Sequence, residues 1–65
     1  MMIYDVEFIR HMPGRDEPAV IDIHNMLAAG LNEAIHRAWL SLLTIPFRVR
    51  PEAFRIRENG DEIVF

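Results

Sequence analysis

The chain has 65 residues, 51% hydrophobic and 26% charged, with no cysteine and a formal net charge of −3. That length makes one domain, residues 1–65, and a domain so small buries only about 60% of the surface its unfolded chain exposes. The missing cysteines exclude disulfides and thiolate zinc sites, and the negative balance argues against non-specific attraction to nucleic acid or anionic membrane.

The N-terminal residues Met1 to Asp5 lack the basic region and long apolar run of a signal peptide. The longest mostly apolar stretch, Ala38 to Phe47, is broken by Ser41, Thr44 and Pro46. It falls well short of the roughly 20 residues that cross a bilayer. The expected location is the cytoplasm, with no membrane partner.

Ile3 to Ile9 alternates as a half-buried strand does, with Tyr4, Val6 and Phe8 on one face and Asp5 and Glu7 on the other. His11 to Pro18, with its Pro13-Gly14 pair and clustered charges, reads as a loop. Ala19 to His24 reads as a second strand with Ala19, Ile21 and Ile23 inward and Asp22 and His24 outward. Sequential strands usually pair, so the two form an antiparallel hairpin.

Asn25 suits a helix N-cap, and from there the period changes. Leu27, Leu31, Ala34, Ile35, Ala38 and Leu42 share one helical face, which predicts a helix over roughly Met26 to Thr44. Pro46 ends it and forces Ile45 into extended geometry. Gly30, beside the buried stripe, is read as a point of close packing on the sheet.

Asn59-Gly60 between two alternating runs predicts a tight hairpin. Its register sets Arg57 opposite Glu62, Ile56 opposite Ile63, Arg55 opposite Val64 and Phe54 opposite Phe65. The predicted fold is therefore α+β, a two-layer β-β-α-β-β sandwich with one helix on a mostly antiparallel four-stranded sheet.

Catalytic chemistry finds little footing. Cysteine and lysine are absent, and Ser41 and Thr44 lie late in the helix with no glycine-rich turn around them. His11, His24 and His36 show no metal-ligand spacing, and Glu33 with His36 reads as an ordinary surface pair. Asp22 and His24 alternate onto one strand face, where they could touch. Gly14, Gly30 and Gly60 are too scattered to cradle a phosphate. The chain is read as non-enzymatic, with no cofactor and no metal.

Two surfaces read as contact surfaces. Trp39, Leu40 and Leu43, with His36, lie off the buried helical face, and the apolar patch they form marks a protein interface unless Ile45-Pro46-Phe47 folds over it. Arg48, Arg50, Arg55 and Arg57 fall within ten positions, either an anion- or acidic-partner surface or a solvated face neutralised by Asp5, Glu7, Asp22 and Glu62. The seven basic residues are all arginine, which suits multidentate hydrogen bonding as well as a plain compositional bias.

Ile3, Ile9, Val20 and Val64 leave the open sheet face mixed in character. The expected function is a small, self-associating protein-binding module, an adaptor or inhibitor of a larger complex of accessory or phage-derived type. The alternative is a nucleic-acid-associated protein that uses the arginine surface.

Overall fold

A computed structural model of the chain describes residues 1–58 and the backbone of 61–63. The elements are β1 (Met2–Arg10), β2 (Ala19–Ala28), α1 (Leu31–Thr44), β3 (Ala53–Glu58) and β4 (Asp61–Ile63). β1 is central, antiparallel to β2 on one side and to β3 on the other, and β4 pairs antiparallel with the outer edge of β3.

The four-stranded sandwich expected from the sequence is corrected here. Among the described residues the helix touches β1, β2 and β3, so the layer it covers is a three-stranded antiparallel sheet, β-β-α-β in chain order. Asp61–Ile63 is a three-residue pairing along Ile56–Glu58 at the margin of that layer and out of the helix's reach. Within it, Ile56 lies opposite Ile63 and Arg57 opposite Glu62, the register the sequence predicts. The Asn59-Gly60 turn and the pairings of Val64 and Phe65 lie outside the described residues.

The helix-covered face carries the core. Tyr4, Val6 and Phe8 of β1, Met26 and Ala28 of β2, and Phe54 and Ile56 of β3 are buried against Ala34, Ala38 and Leu42 of α1, with Leu31, Ile35 and Phe47 packed around them. Ala34 and Ala38 are fully covered, and their small side chains let the helix backbone approach the sheet closely. Burial pushes the Tyr4 phenol above its ordinary range, and the Glu58 carboxylate nearby adds to that.

Three local expectations are overturned together. β2 runs to Ala28, so Asn25 is a strand residue opposite Asp5 and not a helix cap, and Leu27 is an exposed strand residue opposite Ile3 and not part of the helix core. The cause is the ladder: β1 offers partners from Met2 to Arg10, and their hydrogen bonds outweigh the helix propensity of Asn25-Met26-Leu27-Ala28.

The helix starts instead after Gly30, whose carbonyl accepts from the Ala34 amide at 3.1 Å. A side chain at Gly30 would meet nothing within 4 Å, so the expected close packing is absent there. Glu33 Oε2 accepts from the Ala29 amide at 3.3 Å, one residue before the Gly30 N-cap, and so ties the first turn of the helix to the chain that enters it.

The inward set of β2 also differs from expectation. The register shifts between Phe8 and Ile9, so Phe8 faces Asp22 while Ile9 faces Val20, and Ile21 is the extra residue. One inserted residue reverses the alternation. Beyond it Ile23 joins Asn25 and Leu27 on the open face, whereas His24, Met26 and Ala28 turn toward the helix.

The remaining boundaries follow the sequence. Thr44 ends α1, and Ile45 is extended ahead of Pro46. In the first loop the Arg15 amide bonds the Met12 carbonyl at 3.2 Å, with Pro13 and Gly14 at the turn centre. Gly14 has φ 80°, the left-handed value that the third position of a type II turn requires.

Candidate protein-interaction surface

The outer side of α1 follows from where its inner side goes. Ala34, Ala38 and Leu42 are buried, so residues about half a turn away face solvent. His36, Leu40 and Leu43 lie there, and Leu43 is 66% exposed. Trp39 sits on the flank toward β3. Its ring meets that of buried Phe54 edge-on, with centroids 5.1 Å apart, while 49% of the residue stays exposed. An indole anchored on one edge and open on the other is a rigid, low-entropy contact element.

The connector does not cover this stripe. Phe47 turns to the other end of the sheet, 4.9 Å from the Phe8 ring and stacked on His24 at 6.0 Å. His24 is thereby held between Phe8, at 5.0 Å, and Phe47, with its Nε2 3.0 Å from Asp22 Oδ2. The contact between Asp22 and His24 that the sequence allows is thus made, on the helix-covered face and not on the outward one.

The Asp22 carboxyl lies below its usual range because of the hydrogen bonds from His24 and from the Ile23 amide. A recess of about 630 Å³ adjoins it, lined by Ile21, Ile45, Pro46, Phe47, Arg48 and Val49. Ser41 and Thr44 stay apart from this pair; the Thr44 hydroxyl donates to the Leu40 carbonyl at 2.6 Å within its own helix. Among the described residues no three histidine, aspartate or glutamate side chains gather in a way that could hold a metal ion.

The four arginines part into two pairs. Arg55 and Arg57 project from β3 onto the open face and both bond Glu7, Arg55 Nε to Oε1 at 2.6 Å and Arg57 Nε to Oε2 at 3.2 Å. Partial burial raises the Glu7 carboxyl, but the hydrogen bond from Arg55 and the charges of both arginines outweigh it and hold it below the usual carboxylate range. Arg48 and Arg50 lie in the connector and are exposed, away from that row. The Arg50 carbonyl accepts from Arg10 Nη1 at 2.9 Å, and Glu52 Oε1 accepts from the His11 amide, so the connector is tied to the end of β1.

The open face also holds residues that sequence reasoning placed inside. Ile23 is 53% and Leu27 54% exposed, beside Ile3 and Val20. The signal that would have found them is the period of two through His24, Met26 and Ala28, which puts Ile23 and Leu27 on the opposite face.

No helix among the described residues is long and apolar enough to cross a membrane. Comparison of the chain with protein-family models, with curated proteins and with solved structures gives no match.

Proposed function

We propose that the chain is a non-enzymatic protein-binding module that acts as an adaptor or inhibitor by docking the outer side of α1 onto a larger protein. The observation that carries this reading is the uncovered stripe of Trp39, Leu40 and Leu43 with His36 beside it. Positions spaced three and four apart on one helix are the form in which a helix enters an apolar groove. The half-anchored Trp39 supplies the aromatic centre that such contacts favour.

The alternative reading, nucleic-acid binding through Arg48, Arg50, Arg55 and Arg57, draws less support. Glu7 already engages Arg55 and Arg57, which leaves only the connector pair to meet phosphate. Capture from an extract of the native cell, using the full chain as bait, separates the two. The proposal expects a protein retained by the wild type and by the Arg48→Ala/Arg50→Ala double variant but lost with Leu43→Asp. Retention of nucleic acid that fades steeply with salt and with the arginine variant would overturn it.

A further inference from the structure

We propose that Asp22, His24 and Phe47 form a pH-sensitive clasp, which holds the connector 45–52 on the sheet more tightly when His24 is protonated. The inference goes beyond the helix-stripe reading and does not depend on it. The connector has few ties. Its start is fixed by the Ile45 amide on the Ser41 carbonyl, and its end by buried Pro51 and by the Glu52 amide on the Ile9 carbonyl. From Pro46 to Val49, among the described residues, no backbone hydrogen bond reaches a strand. There the hold is the Phe47 ring, against Phe8 at 4.9 Å and against His24 at 6.0 Å.

Imidazole is the side chain whose charge changes between about pH 5 and 8. Protonation of His24 acts on both of its partners at once. Its Nε2 lies 3.0 Å from Asp22 Oδ2, so the bond between them becomes an ion pair. Its ring lies 29° from the plane of Phe47, where a cation meets the negative face of the arene. The His24 side chain is 28% exposed, so water screens these gains only in part.

The surroundings leave Asp22 as the deciding charge. β1 presents Val6 and Phe8 to His24, and α1 carries no charged side chain from Ala38 to Thr44. On the connector Arg48, which lines the recess beside Asp22, is the opposing charge, and it is exposed to solvent. The Asp22 carboxyl lies below its usual range, so it stays charged throughout the imidazole transition. The sign follows from linkage: the extra hold is complete on the acid side of that transition and is lost as pH rises through it.

The test uses the full chain with Val49→Cys, an exposed site in a sequence that has no cysteine of its own, labelled with a nitroxide. Electron paramagnetic resonance reads connector mobility at about pH 5.5 and about pH 8, the two sides of the imidazole transition. The expected result is a mobile fraction about threefold larger at the higher pH, a response weakened by Asp22→Asn and absent in His24→Gln. Equal mobility at the two pH values overturns the proposal. So does a response that survives His24→Gln, which would place it on another group such as His11 beside Glu52. Should the variants fail to fold, the ring resonances of the unsubstituted chain decide. Phe47 resonances that shift with the His24 imidazole support the clasp, and Phe47 resonances that stay fixed while that imidazole titrates overturn it.

Discussion

Glu7 on the central strand accepts a 2.6 Å hydrogen bond from Nε of Arg55, the residue directly opposite it on β3. Arg57, which lies opposite Asp5, leans diagonally to the other oxygen of the same carboxylate. With its side chain only 13% exposed, Glu7 is the tie between β1 and β3 on the face the helix leaves open. Glu7→Gln keeps the shape but removes the charge from two charge-assisted bonds. Since both guanidinium groups are partly solvated, the expected loss is about 1–2 kcal/mol, read from urea unfolding.

The same carboxylate sets the acid limb of stability. Its folded pKa is depressed, so its contribution is complete above the ordinary glutamate value of about 4.3 and is lost as pH falls through the lower folded value. Asp22, also depressed, acts in the same direction. Wild-type stability should therefore decline below about pH 4, and Glu7→Gln should flatten that decline, measured as midpoint denaturant concentration against pH.

Phe8 is fully buried and touches the rings of His24, Phe47 and Phe54. Phe8→Ala should cost about 3–5 kcal/mol, enough to unfold a domain of this size. Circular dichroism at 25 °C should show a chain without cooperative thermal unfolding. Phe47→Ala, at a half-buried site on the edge of the same cluster, should leave the fold intact with a lowered melting temperature.

His24 and Phe47, two of the three rings against Phe8, mark the limit of what the sequence discloses. Tyr4, Val6 and Phe8 are legible as an inward row because nothing interrupts β1, and Pro46 fixes the helix end through a steric rule that needs no tertiary context. The register of Ile56 and Arg57 against 63 and 62 is the one that the Asn59-Gly60 pair predicts from the sequence. The bulge at Ile21 is different. It is set by how β1 and β2 meet, and no local sign marks the inserted position, although the period of two through His24, Met26 and Ala28 beyond it carries the face that Ile23 takes.

For the same reason the helix starts at Leu31, later than the sequence predicts. Asn25 is a good cap in isolation, but a paired strand passes through it. As for the candidate interface, the exposed side of Trp39, Leu40 and Leu43 follows from helical period alone, whereas the fate of Phe47 depends on the packing of a connector.

Leu40→Asp and Leu43→Asp should be nearly silent in the isolated chain. Both side chains are about half or more exposed, so unfolding free energies should stay within about 0.5 kcal/mol of wild type. Trp39→Ala should cost more, about 1 kcal/mol, through its edge-on contact with Phe54. Urea titrations of the three variants check that order.

The most direct test of the helix-stripe account is site-specific photo-crosslinking in the native cell, from a benzophenone side chain at position 40 or 43 and, separately, at position 48. The account predicts a discrete protein adduct from 40 and 43 and none from 48. Nucleic-acid adducts from 48, with 40 and 43 silent, would contradict it.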